Sequence, residues 1–265
     1  YNCKSLREVE FEDGITTIPE NIFKKCYGIK EIEIPETVTE IGNYVFENCT
    51  NLERIVIGKN VTVIGQSAFG GCVSLISVEV PDSVTEIKSW AFGNCSELSE
   101  LSLSKHLEKL GGCAFANCNS LTKIEIPKSL KECGNNINYS GNDLNSAGPF
   151  YNCKSLREVE FEDGITTIPE NIFKKSYGIE EIEIPETVIN IGRYAFENCT
   201  NLKKIKVGRK VSKISDYAFN GCTALLYIKL PEKVTVVGAA AFRLCTSMTE
   251  VYIADSVITM GDSVC

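Results

Sequence analysis

The chain has 265 residues, of which 43% are hydrophobic and 23% charged, and a formal net charge of −8 at pH 7. That acidic balance argues against a nucleic-acid partner, which needs a basic footprint, although a patch can still be basic locally. No apolar run approaches the roughly 18 residues of a membrane span, and a chain of this length suits a fold whose core grows by adding units.

Tyr1 opens in the middle of a repeat, and the cysteines then keep a fixed interval: Cys3, Cys26, Cys49, Cys72, Cys95 and Cys118 are 23 residues apart. Self-similarity at such a period is the signature of a repeat protein. Each period carries one apolar frame, seen at Leu52, Ile55, Ile57, Val61, Ile64, Gly65, Ala68, Phe69 and Cys72. Leu52, Ile55 and Ile57 alternate with Arg54 and Val56 as a short half-buried strand does. Val61 and Ile64 mark a second, looser extended piece that Gly65 breaks. The spacing of Ala68, Phe69 and Cys72 predicts a helical or 3₁₀ turn on the far side. One period is thus one turn of a solenoid, and Leu52 must pack on Ile29 before it and Leu75 after it. Successive strands about 4.8 Å apart in a parallel sheet give an object roughly 50 Å long.

From Gly134 to Phe150 the chain carries twelve more residues than the regular coil does from Gly65 to Phe69. The insertion at 135–147 is rich in Asn, Gly and Ser and reads as a surface loop. Asn142, Asp143 and Asn145 lack the spacing of a calcium loop. Beyond it, residues 151–202 repeat residues 1–52 with six differences, and the period resumes at Cys199, Cys222 and Cys245. Just past the copied block Glu53, Arg54, Val56 and Asn60 are answered by Lys203, Lys204, Lys206 and Lys210. Cys265 ends the chain at the position of the Phe242 column, so a fragment of a longer protein is expected.

The consensus C-x-x-L-x-x-I-x-I-P-x-x-V-x-x-I-G-x-x-A-F-x-x-C, most literal from Ile32 to Gly42 and from Ile124 to Pro127, resembles the BspA-like, or Treponema pallidum-type, leucine-rich repeat family. The resemblance covers nearly the whole chain. It implies a right-handed leucine-rich-repeat coil of about eleven 23-residue turns, with a parallel β-sheet on one face and short strands with 3₁₀ or helical turns on the other. It also implies one continuous domain over 1–265, and a bacterial surface or secreted protein that adheres to host proteins or other cells.

Thirteen cysteines in an exported chain would ordinarily suggest disulfides. Here one column places them inward, so they read as reduced, unreactive core thiols, with Ser176 in the same column and Cys133 in the core column of Ile64. Cys113, like Trp90, occupies a variable position and is the candidate accessible thiol. His106 falls in a surface turn with no acid or nucleophile beside it. No His-Glu-x-x-His, Gly-x-Ser-x-Gly, Cys-x-x-Cys or phosphate loop occurs. No catalytic residue, metal or cofactor is therefore expected. The sequons at Asn48, Asn60, Asn94, Asn138 and Asn198 matter only in a glycosylating host.

The outward strand residues carry the functional signal. Adding 23 stacks them into two columns, acidic at Glu8, Glu31, Glu158 and Glu181 in the first and at Glu10, Glu33, Glu160 and Glu183 in the second. Near the C-terminus this ground gives way to Lys204, Lys206, Tyr227, Lys229 and Tyr252, a mixture favoured where proteins meet. The expected activity is protein binding, with a host matrix or cell-surface protein as partner. A structural spacer presenting another domain is the alternative, and the oligomeric state stays open.

Overall fold

A computed structural model describes residues 3–12, 14–134 and 147–265. It is a parallel β-solenoid of about ten turns. Ten strands of three or four residues, from Glu31–Glu33 to Glu250–Tyr252, and eleven of two residues, from Thr17–Ile18 to Thr259–Met260, make up its strands. Both sets pair in parallel at the interval read from the cysteines: Glu31 lies opposite Arg54 and Ile32 opposite Ile55, while Thr17 lies opposite Glu40 and Ile18 opposite Ile41. Across the insertion the register jumps, Lys123 to Glu158, without losing parallel pairing.

The far side is not helical; it is a run of turns. Tyr44 and Asn48 hold left-handed backbone at φ 58° and 59°, a conformation that a right-handed helix cannot contain. Alternate amides serve different partners. Tyr44, Phe46 and Asn48 donate to the carbonyls of Gln66, Ala68 and Gly70 in the next coil at 2.7–2.8 Å, whereas Glu47 and Cys49 close local turns on Tyr44 and Phe46. The turns thus form a third inter-coil ladder that satisfies backbone donors without a helix. Close approach of coils also explains Gly65, where a Cβ would sit 2.5 Å from the Gly42 carbonyl.

The core is columnar. Phe46, Phe69, Phe92 and Phe115 are fully buried, and Phe69 stacks on Phe92 at 5.2 Å between ring centroids. Phe115 meets Phe150 at 5.7 Å, so the extra residues leave the stack continuous. Each buried ring stabilises the array by roughly 1.5–3 kcal/mol.

The cysteine column is buried as expected from Cys26 to Cys222, with Cys245 half-buried, and none of the cysteines from Cys26 to Cys245 in that column is in a disulfide. It has a second property. Cys72, Cys95 and Cys118 each donate S–H to the carbonyl of the phenylalanine in the preceding coil at 3.3–3.4 Å. Ser176 makes the same bond from its hydroxyl to Phe150 at 2.9 Å. Burial pushes the thiols of Cys49, Cys95 and Cys153 up to about 12, so thiolate is scarce at neutral pH. Cys133 is core, 4% exposed.

Cys113 corrects the expectation of an accessible thiol. It is 1% exposed, packed with Ala116 and Ala147 beside Trp90 and Tyr151, and burial lifts its pKa to about 12. Its left-handed φ of 58° and the bond from its amide to the Gly148 carbonyl hold it where the chain returns from the insertion. Ala147, the last residue of the expected surface loop, is itself buried; 135–146 lie outside the described residues.

Alkylation of the folded chain is therefore expected to modify the exposed Cys3 and Cys265 first and Cys113 only after denaturation; equal labelling rates for Cys3 and Cys113 contradict its placement. In urea melts Cys95→Ser, which keeps a donor, should stay within about 1 kcal/mol of the parent. Cys95→Val, which adds bulk and loses the donor, should cost about 1–3 kcal/mol.

Candidate interaction face

In strands such as Glu31–Glu33, Arg54–Val56 and Lys204–Lys206 the middle residue is buried and both flanking residues are exposed. This follows from the pleat, which sends alternate side chains to opposite faces. Strand register brings the outward residues into the columns anticipated from sequence: Glu181 opposite Lys204, Glu183 opposite Lys206, Tyr227 opposite Glu250 and Lys229 opposite Tyr252.

Stacking also pairs charges across coils. Arg54 lies 3.7 Å from Glu31 and Lys30 3.3 Å from Glu53. In the second copy Lys204 lies 3.6 Å from Glu181, Lys206 contacts Glu183, and Glu180 sits between Arg157 at 3.2 Å and Lys203 at 2.8 Å. The Lys203 ammonium, aided by Arg157, holds the Glu180 carboxyl below the usual carboxylate range. Two lysines of the expected basic patch are thus already engaged by acids of the preceding coil. Tyr252 donates to Glu250 at 2.6 Å. Lys229 has no ion-pair partner among the described residues, nor do Glu8, Glu10, Glu33 and Glu158.

The charge pattern of the two copies is reciprocal. Lys30 faces Glu53 in the first, and Glu180 faces Lys203 in the second. The basic turn of the second copy therefore includes a compensated exchange, and Lys206 is opposed by Glu183 where Val56 faces Glu33.

Two depressions relieve the face away from its C-terminal end. One of about 760 Å³ lies at the N-terminal coils around Glu8, Glu10, Glu31 and Glu33. The other, of about 660 Å³, spans the strands from Ser77 to Glu160. Elsewhere, His106 is exposed in its turn, with Nδ1 3.0 Å from the Asp82 carbonyl. Among the described residues no three His, Cys, Asp or Glu side chains are grouped to hold a metal, and no helix is long and apolar enough to cross a membrane.

On the turn side sequence reading missed a buried ion pair: Lys174, 7% exposed, lies 2.6 Å from Glu197 and 4.4 Å from the centre of the Tyr194 ring. Tyr194 in turn stacks on Tyr217 at 5.1 Å. Adding 23 to Lys174 reaches Glu197, so the signal was present in the columns.

The family model for the BspA type leucine rich repeat region matches in six copies, over residues 1–99, 63–147 and 145–264. Among solved structures the chain is similar to a leucine-rich repeat protein from Bacteroides ovatus, at 26% identity over 96% of this chain and 81% of that one, with a TM-score of 0.48. It is also similar to the T. pallidum leucine rich repeat protein, at 22% identity, 88% and 82% coverage and a TM-score of 0.52. For the pneumococcal vaccine antigen PcpA the values are 20%, 92%, 72% and 0.55. The last two likenesses show a shared fold. No curated protein matches by sequence.

Lys30→Glu, which sets two carboxylates against each other, is expected to cost on the order of 0.2–1 kcal/mol at low salt and less at high salt. Adding Glu53→Lys should return the thermal midpoint to that of the parent, as the second copy's arrangement implies. A double variant no more stable than the single one would rule out the pairing.

Proposed function

The chain belongs to the BspA-type leucine-rich repeat family, and we propose that it is a non-enzymatic protein-binding module that docks its partner on the exposed strand face. One observation carries this reading: in strand after strand the buried middle residue is held constant in kind while the two exposed flanks range over Glu, Arg, Ser, Lys, Val and Tyr. The backbone supplies a rigid frame and the flanks supply variation, which is what a recognition surface on a solenoid requires. Tyr227, Lys229 and Tyr252, with Lys204 and Lys206 beside them, form the proposed contact at the C-terminal end. Tyrosines contribute contact area there and Lys229 contributes an ammonium not already paired.

The proposed setting is the bacterial cell surface or the secreted fraction, and the proposed partner a host matrix or cell-surface protein. The pneumococcal fold relative is named a vaccine antigen, in keeping with outward display of such arrays. A second reading, a spacer that holds another domain away from the cell, is favoured by the lateral ion pairs of Lys204 and Lys206, which satisfy charge without a partner.

Capture by the immobilised chain from a panel of host matrix and mucosal proteins, at low and high salt, separates the two. A saturable, salt-sensitive partner whose affinity falls about tenfold in a Tyr227→Ala, Lys229→Ala, Tyr252→Ala variant is expected, since truncated aromatic anchors commonly cost that much. No partner at any salt would favour the spacer.

A further inference from the structure

The central depression of the strand face is the more acidic of the two. The N-terminal one sets four carboxylates against Arg7, Lys30 and Arg54, of which Lys30 and Arg54 pair with Glu53 and Glu31, so that Glu8, Glu10 and Glu33 have no ion-pair partner among the described residues. The central one sets five carboxylates against Lys105 and Lys123 alone. Of these five, Glu160 is held by Lys123 at 2.7 Å and Glu162 by Lys128 at 2.8 Å. Glu79, Glu100 and Glu125 are exposed and have no ion-pair partner among the described residues.

The floor is open as well. In the coil Glu100–Ser102 the inward residues Leu101 and Leu103 are half-buried. Their column neighbours are sealed: Val78 and Ile124 at 3% and 1% exposure, Val80 and Ile126 at 3% and 0%. The sheet breaks here, since Glu100–Ser102 pairs with Ser77–Glu79 but not with Lys123–Ile126, and the outward residues Ser77 and Ser102 are short where other coils carry Arg, Lys or Glu. The result is an apolar floor under a rim of unpaired carboxylates.

We propose that this central groove docks an extended protein segment bearing lysine or arginine. The proposal rests on the strand face being a protein-binding surface. Long basic side chains fit both parts of the groove: their aliphatic stems lie on Leu101 and Leu103 while their charged heads stay at the wet rim, where Glu79, Glu100 and Glu125 accept charge-assisted hydrogen bonds. The hydroxyls of Ser77 and Ser102 are placed to meet backbone groups of the segment. The groove crosses four strands, roughly 15 Å, which matches about five residues of extended chain. A nucleic acid or an anionic membrane would instead set phosphate against these carboxylates.

The test uses the full chain and a short fluorescent peptide alternating lysine and alanine, followed by anisotropy at low salt. A second peptide carries glutamine in place of lysine. The groove variant is Glu79→Gln, Glu100→Gln, Glu125→Gln, and the control, Glu8→Gln, Glu10→Gln, Glu33→Gln, changes net charge equally at the other depression. All six positions are exposed, and unchanged melting of both variants confirms that the fold is intact. The lysine peptide is expected to bind, with about tenfold weaker affinity for the groove variant and less than about twofold for the control, while the glutamine peptide does not bind. Filling the groove by Ser102→Arg should abolish binding. Absence of lysine-peptide binding, or equal losses in both charge variants, overturns the proposal. The strand-face reading fails separately: a matrix protein captured with full affinity by the groove variant keeps the face and removes the groove.

Discussion

A coil of 23 residues cannot bury its own apolar face, and the architecture follows from how that deficit is met. Each coil is completed by the one before it and the one after, through parallel pairing of both strand sets and through amides of the turn side that reach the next coil. Because all three ladders must close together, the period is held at 23 and each inward position becomes a column with one kind of occupant. The phenylalanine stack shows how strict this is: at Phe115 and Phe150 the rings still meet at 5.7 Å although the chain between them is twelve residues longer than usual. Length is added where a turn can leave the ladder and return, as Cys113 to Gly148 and Phe115 to Pro149 do.

Adding 23 to any residue places its spatial neighbour, so the strands, the core columns and the outward columns were legible in the sequence. On the turn side sequence left 3₁₀ and helical turns both open, and the structure has three-residue turns without a helix. Local three-residue closures such as Cys72 to Phe69 reproduce the short apolar spacing of a helix, and periodicity alone does not tell them apart. The asparagines did carry the distinction: Asn21, Asn48, Asn94, Asn117, Asn152, Asn171 and Asn198 all adopt positive φ, the region asparagine tolerates best among side-chain-bearing residues. The cysteine column was read as apolar only, and Ser176 was the clue that a donor is wanted there, since its hydroxyl replaces the thiol on Phe150. Cys113 was misplaced because Ala147 and Tyr151, where the chain returns from the insertion, pack over a position that sequence shows only as variable.

Magnitudes separate the roles of core and face. Truncating a buried phenylalanine to alanine costs about 3–5 kcal/mol, against roughly 0–1 kcal/mol for an exposed ion pair. The core therefore decides whether coils stack, and the lateral pairs adjust a face that stacking has already built. The two copies of the 52-residue block display this hierarchy within one molecule. Their buried frames differ only at Cys26 against Ser176 and Val45 against Ala195, while Lys30 and, just past the block, Glu53 are answered by Glu180 and Lys203, with the attraction kept and the signs exchanged. The lysines of the second copy suggested an open basic patch, but the preceding coil holds acids opposite Lys203, Lys204 and Lys206 in their own columns.

Lateral pairing narrows where recognition can arise. A charged side chain satisfied by its lateral neighbour must lose that contact, or share it, before it can favour a partner, so a self-neutralised stretch offers little electrostatic gain on docking. Both proposed contacts lie where the lateral pattern stops: at Lys229 and its tyrosines, and in the middle of the face, where Glu79, Glu100 and Glu125 stand around half-buried leucines. Because the frame beneath is the same 23-residue coil, such interruptions leave stacking intact. On that proposal the capacity to bind is set by where the surface departs from its own repeat.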